Sequence, residues 1–226
     1  MEYIIIFLPL LGSIISGFFG KIIGSRFSEI VTSSFVSISA ILSFFIFYDV
    51  VTQNYENNLL IFSWIKSGTL VANWSIKIDA LSAVMLVVVN FVSALVHIYS
   101  IGYMHKDPHK TRFMSYLSLF TFSMLALVTS DNFIQLFFGW EAVGLCSYFL
   151  IGFWFKKDTA NAAAIKAFLV NRVGDFGFAL GIFLIFYIFG TVDYKEVFEA
   201  TPAILDKELI FLGINSKAID LICVLL

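Results

Sequence analysis

Long apolar runs broken by short charged loops set the rhythm of this chain. Six segments, residues 3–20, 29–50, 80–103, 113–129, 132–155 and 160–190, fall in the range that an α-helix needs to cross a bilayer, about 20 mostly apolar residues. The last is longer than one crossing requires, which predicts a tilted helix or one that reaches into the headgroup layer. A seventh apolar run starts near Ala218 and stops at Leu226, too short to span, so the chain reads as truncated within it. Between the second and third helices the texture changes. Residues 59–64 and 74–78 are short, rich in β-branched and aromatic side chains, and separated by Lys66-Ser67-Gly68-Thr69. Trp74, Ile76 and Ile78 alternate with Ser75 and Lys77, the period of a strand. A small β-hairpin outside the membrane is predicted there. Residues 193–217 read as a polar linker. The predicted fold class is an all-α membrane protein of six complete transmembrane helices and a truncated seventh, with one extramembrane hairpin.

Composition turns these apolar helices from candidates for a soluble core into membrane spans. Of 226 residues, 60% are hydrophobic and only 13% charged, with a mean hydropathy of +0.93. A soluble domain carries about 25% charged residues, and a fold of this size could not hide so much apolar surface behind so few charges. The formal net charge of -2 offers no basic field for nucleic acid. Cys146 and Cys223 lie in apolar runs without a CxxC or Cys/His cluster, so neither a disulfide framework nor a zinc or iron–sulfur site is read. No GxGxxG or GxxxxGK[ST] loop suggests a nucleotide. The first apolar run follows Glu2 without a basic leader region and reads as a retained helix.

Loop charges give an orientation. Lys21 and Arg26 mark the first loop, Lys106, Lys110 and Arg112 the third, and Lys156 and Lys157 the fifth. By the positive-inside rule these odd-numbered loops face the cytoplasm or matrix, and the N-terminus and the hairpin face the opposite side.

Several ionisable side chains fall where charge is costly. Glu141 sits roughly ten residues into the fifth helix, near mid-membrane. An ion there costs at least about 2.5 to 3.5 kcal/mol. A carboxyl in that setting, unless a cation lies close, takes up and releases protons near neutral pH, as a relay requires. The bland alternative is a packing carboxyl that never titrates. On the sixth helix, Arg172 and Asp175 are three apart and share a face, either as a relay element or as a neutralised structural or subunit-contact pair. Lys166 precedes Arg172 by about 240° of helical turn and is either a relay cation or a snorkelling one. His97, inside the third helix near Ser93 and Ser100, is a weaker relay candidate, and a hydrogen-bonded packing role is favoured for it. Asp79 is placed to cap the third helix. Gly139, Gly144, Gly174, Gly177 and Gly181 read as close helix packing.

Three blocks in this sequence carry a resemblance. Asp79-Ala80-Leu81-Ser82-Ala83-Val84-Met85 opens the third helix. Gly139-Trp140-Glu141-Ala142-Val143-Gly144-Leu145-Cys146-Ser147-Tyr148 lies in the fifth, with Leu150-Ile151-Gly152-Phe153-Trp154 after it. Ala163-Ala164-Ile165-Lys166-Ala167-Phe168 leads into Asn171-Arg172-Val173-Gly174-Asp175-Phe176-Gly177. Together they resemble the antiporter-like membrane subunits of respiratory complex I, in particular the N-terminal portion of the subunit L or chain 5 branch. Residues 80–226 would then be the start of the antiporter-like domain and residues 1–79 the two helices and hairpin before it. The resemblance implies a proton-translocating role, with Glu141 as the family's fifth-helix glutamate and Lys166 as the lysine of its AxKAF block. Arg172 and Asp175 would be the charged pair near a neighbouring antiporter-like subunit. It also implies that NADH, flavin, iron–sulfur clusters and quinone belong to partner subunits, with no cofactor in this chain. The family's seventh-helix lysine does not appear before Leu226. Cation/proton antiporter subunits share the glutamate and lysine pattern, and an inactive structural fragment is the third alternative.

Overall fold

A computed structural model describes residues 1–211 and 214–226 of the chain. Its elements run α1 (Glu2–Ile23), α2 (Ser25–Gln53), β1 (Asn57–Ser67), β2 (Leu70–Ile78), α3 (Ala80–Tyr103), α4 (Lys110–Val128), α5 (Phe133–Ile151) and α6 (Asp158–Phe189). Then come α7 (Tyr194–Ala200), a 3-10 turn (Thr201–Ala203), β3 (Glu208–Phe211), β4 (Ile214–Lys217) and α8 (Ala218–Leu225). Among the described residues six helices, α1 to α6, are long and apolar enough to cross a membrane. The chain is an integral, all-α membrane protein with an extramembrane hairpin.

Local chemistry sets the boundaries. Gly24, at φ +89°, separates α1 from α2 in a conformation that side chains with a Cβ rarely adopt. Asp79 and Ser82 form the capping box of α3, the side chain of each accepting the other's backbone N–H. The cap read for Asp79 from the sequence is thus what the residue does. Asn132 caps α5 by accepting the N–H of Gln135, at 2.8 Å.

The helices meet through small and hydroxyl side chains, because lipid supplies no hydrophobic drive between them. Ser115 of α4 donates to the carbonyl of Ser13 at 2.8 Å, and Ser16 donates to that of Thr111 at 2.8 Å. Gly139 lets α5 approach α4 so closely that a Cβ there would lie 2.7 Å from Leu127 Cα. The other glycines divide. Gly181 packs tightly on α8, whereas a Cβ on Gly144 or Gly174 would meet nothing within 4 Å. Gly144 and Gly174 do not serve the close packing expected of them. They line an open cleft between α5 and α6 instead.

The hairpin is longer than its pattern of alternation predicts. β1 and β2 pair antiparallel from Asn57 opposite Ile78 to Ser67 opposite Leu70, turning at Gly68 with φ +58°. Two register irregularities, between Leu60 and Phe62 and between Ser63 and Ile65, blur the period in β1. The free edge of β2 is sewn to the helices at alternate residues. Asn73 O accepts from Asn132 Nδ2 at 2.7 Å, and the Lys77 N–H reaches Thr129 O at 2.9 Å. Between them Gln135 acts as a strand: its Nε2 donates to Ser75 O at 2.7 Å and its Oε1 accepts the Ser75 N–H at 3.0 Å. Gln135 is 1% exposed and Ser75 4%. Gln135→Leu therefore leaves two buried backbone groups unpaired, at about 1 to 3 kcal/mol each. It is expected to lower thermal stability by about 2 to 6 kcal/mol and to speed amide exchange at Ser75. Unchanged exchange there would refute the pairing.

Residues 193–217, read as a linker, instead carry α7, the 3-10 turn and the β3–β4 hairpin. The segment is anchored, with Phe133 N–H on Val192 O at 3.0 Å and Tyr194 N–H on Asp131 O at 3.2 Å. Polar composition signalled a surface segment but not that short elements would form on it.

Candidate functional site

Glu141 stands near the middle of α5, and Arg172 and Asp175 lie one helical turn apart on α6. Packing of α5 on α6 brings the three together. Arg172 Nη1 is ion-paired with Glu141 Oε2 and lies 3.5 Å from Asp175 Oδ2. Trp140 Nε1 donates to Asp175 Oδ1 at 2.9 Å. The Phe168 ring lies 4.5 Å from the Arg172 guanidinium carbon, a cation–π contact that replaces part of its lost hydration. Asp175 is the most enclosed of the three, with 9% of its side chain exposed against 22% for Glu141 and 34% for Arg172. None of that exposure need be to water, since these helices lie at membrane depth. Beside the cluster opens a cleft of about 400 Å³, to which Trp140, Ser147, Asn171 and Asp175 contribute polar atoms. The arrangement is one guanidinium shared by two carboxylates. With both ionised the group carries one net negative charge, and one proton on either carboxyl makes it neutral.

The pairing of Arg172 with Asp175 matches the spacing read from the sequence. The link from Arg172 to Glu141 was not legible there, because it depends on how two helices are rotated against each other. Lys166 is exposed on α6 and forms no ion pair among the described residues, so the cluster does not include it. His97 belongs to a different helix pair and is 0% exposed. Its Nδ1 lies 2.8 Å from the Ser93 carbonyl, which only accepts, so Nδ1 carries the proton. Nε2 is hydrogen-bonded to Ser118 Oγ of α4 at 3.0 Å. His97 thus clamps α3 to α4 with both ring nitrogens hydrogen-bonded.

Two further polar groups escaped the sequence reading. Lys110 of α4, counted among the loop charges, pairs with Glu29 of α2 at 3.0 Å, both largely buried. On the hairpin side of the bundle, Asp131 accepts from Asn58 Nδ2 at 2.6 Å beside Asp193. Burial, and then the Asp131 charge, push the Asp193 carboxyl above the usual carboxylate range, while burial pushes the Tyr194 hydroxyl up to about 12. Among the described residues no three His, Cys, Asp or Glu side chains gather as metal ligands would.

Comparison with known proteins identifies the family of the chain. Residues 64–114 match the family described as NADH-ubiquinone oxidoreductase (complex I), chain 5 N-terminus. Residues 130–225 match the NADH:quinone oxidoreductase/Mrp antiporter transmembrane family. Over its whole length the chain is 54% identical to NADH-ubiquinone oxidoreductase chain 5 of Triticum aestivum, covering 34% of that protein. It is 49% identical to NADH-quinone oxidoreductase subunit L of Rhodobacter capsulatus, covering 32% of it. The chain thus spans about a third of the length of these relatives. In fold it is similar to a subunit in the Mrp complex from Dietzia sp. DQ12-45-1b, with a TM-score of 0.76 at 20% identity over 99% of this chain and 22% of that one. A chain of the archaeal membrane-bound sulfane sulfur reductase gives 0.75 at 17% identity, over 87% of this chain and 39% of that one. The half-identical relatives and the two family matches lead to one conclusion: this chain belongs to the chain 5, or subunit L, family of antiporter-like complex I membrane subunits.

Proposed function

We propose that this chain forms the front portion of a proton-translocating subunit of a membrane NADH:quinone oxidoreductase. Electron transfer from NADH to quinone, carried out on flavin and iron–sulfur centres of partner subunits, would drive its protonation cycle. The observation that carries the reading is the Glu141–Arg172–Asp175 cluster at membrane depth. A guanidinium between two carboxylates is a two-position device. When Glu141 is ionised it holds Arg172; when it takes a proton, Asp175 becomes the guanidinium's only anionic partner. Proton uptake at mid-membrane is thereby coupled to a charge displacement along α6, the form in which a distant energetic event can be passed on. Lys166, nearer the start of α6, serves as the cation through which a proton approaches the cluster. His97, whose hydrogen bonds already satisfy it, stays a packing residue on this reading.

The partners on this reading are other membrane subunits of complex I, a neighbouring antiporter-like subunit above all. The location is a bacterial inner membrane or the mitochondrial inner membrane, with the N-terminus and hairpin opposite the cytoplasm or matrix. A cation/proton antiporter subunit is the second reading, favoured by the Mrp name of the matching family and by the Mrp fold neighbour. Gentle extraction and native electrophoresis with an NADH-oxidation stain separate the two. The protein carrying this sequence is expected to migrate with a large NADH-oxidising complex, and migration apart from any such complex would overturn the proposal.

A further inference from the structure

At the basic end of the bundle, α4 begins, α5 ends and α6 begins around a cleft of about 190 Å³. Arg112, Tyr116, Tyr148 and Asn161 contribute its polar wall, and Phe149 and Phe155 much of its apolar wall. Arg112 is held rigidly. Its Nη2 donates to Phe153 O at 3.0 Å, and its guanidinium carbon lies 4.7 Å from the Phe153 ring and 5.2 Å from that of Phe155. Yet it has no counter-ion: among the described residues no carboxylate forms an ion pair with it. The nearby Asp107 is otherwise engaged, its oxygens accepting from the His109 N–H at 2.7 Å and Trp154 Nε1 at 3.0 Å.

This half-buried, preoriented guanidinium at the membrane boundary has Asp107 nearby but not in an ion pair with it, and its Nε has no hydrogen-bond partner, so it can take a further anion. Its planar fork suits phosphate oxygens. The position argues for one source of that phosphate. Arg112 is the third residue of a spanning helix, and Tyr116 and Tyr148 lie a further turn toward the apolar layer. The mouth is thus at headgroup depth and the walls below it are aromatic, which suits an acyl chain and not a dissolved ion. Lys156 and Lys157 follow Phe155 directly in the chain and add positive charge at this end of the bundle. Basic pockets between transmembrane helices on this side of a membrane favour anionic lipid headgroups. We infer that the α4–α5–α6 cleft around Arg112 is a binding site for the phosphate headgroup of an anionic glycerophospholipid.

The test uses the assembled complex in phosphatidylcholine membranes doped with photoreactive phosphatidylglycerol, with labelled peptides mapped by mass spectrometry. Labelling is expected within residues 148–164. It should fall about fivefold in Arg112→Gln, the factor expected for one basic residue at an anionic surface. Asn161→Phe, which fills the mouth and keeps the guanidinium, should lower it similarly, so the result does not depend on a single variant folding. Lys66→Gln, exposed on the hairpin at the other end of the bundle, should label like the wild type. Equal labelling of wild type, Arg112→Gln and Asn161→Phe would overturn the site. Labelling as strong with photoreactive phosphatidylcholine would overturn the preference for an anion. Displacement of the label by inorganic phosphate alone would overturn the lipid in favour of the free ion.

Discussion

Glu141→Gln in the assembled complex is expected to reduce NADH-driven proton translocation on the order of a hundredfold, the scale at which a positioned acid–base group contributes. Glutamine keeps the size of the side chain and an oxygen that can accept from Arg172, but it cannot take up and release the proton. The fold should tolerate the change. Removing one negative charge leaves Arg172 with Asp175 alone, 3.5 Å away, and the group becomes neutral without further help. Stability and transport therefore separate in this variant. Proton uptake into sealed vesicles, followed with a pH-sensitive dye during NADH oxidation, measures the second. NADH oxidation by a soluble artificial acceptor serves as the control, since that reaction belongs to partner subunits on the proposed reading. Wild-type proton uptake by Glu141→Gln would remove Glu141 from the path and leave the cluster as a packing device.

Arg172→Met should have the opposite signature, a large loss of stability before any question of transport. The substitution leaves Glu141 and Asp175 facing each other without a cation at membrane depth. Breaking a buried ion pair from one side costs about 3 to 5 kcal/mol because the remaining charge is uncompensated. Here two carboxylates remain, and the fold can escape only by protonating them. The loss should be read as thermal stability in lipid nanodiscs and as yield of assembled complex. Rescue is the decisive arm. Combining Arg172→Met with Glu141→Gln and Asp175→Asn removes all three charges together and is expected to recover most of the lost stability. If Arg172→Met alone were as stable as the wild type, the guanidinium would not be the counter-ion of this cluster.

The two variants show why part of the site could be read from the sequence and part could not. Arg172 and Asp175 are three residues apart on one helix, so their proximity is a property of helical geometry alone. The intramembrane position of Glu141 also follows from counting along an apolar run. Its partner does not. Arg172 could have faced lipid, a neighbouring subunit or α5, and nothing in the spacing of α6 selects among them. His97 repeats the lesson. Its bond to Ser93, four residues away on the same helix, lies within reach of sequence reasoning, whereas the bond to Ser118 requires knowing that α4 lies alongside. Gln135 is the clearest omission. A glutamine early in an apolar helix carries no signal that it will complete the edge of a strand 60 residues away.

The sequence by itself determined the six crossings, the hairpin, the cap at Asp79, the membrane setting and which ionisable side chains lie within it. Those features follow from local periodicity and from the cost of placing polar groups in hydrocarbon, both of which act along the chain. Tertiary structure alone decided that Arg172 serves two carboxylates, that Gly139 rather than Gly144 marks a close helix contact, and that Glu29 and Lys110 pair. In water an apolar stripe announces which face of a helix turns inward. In a bilayer both faces are apolar, so rotation and neighbour choice are left to shape, small residues and hydrogen bonds between helices.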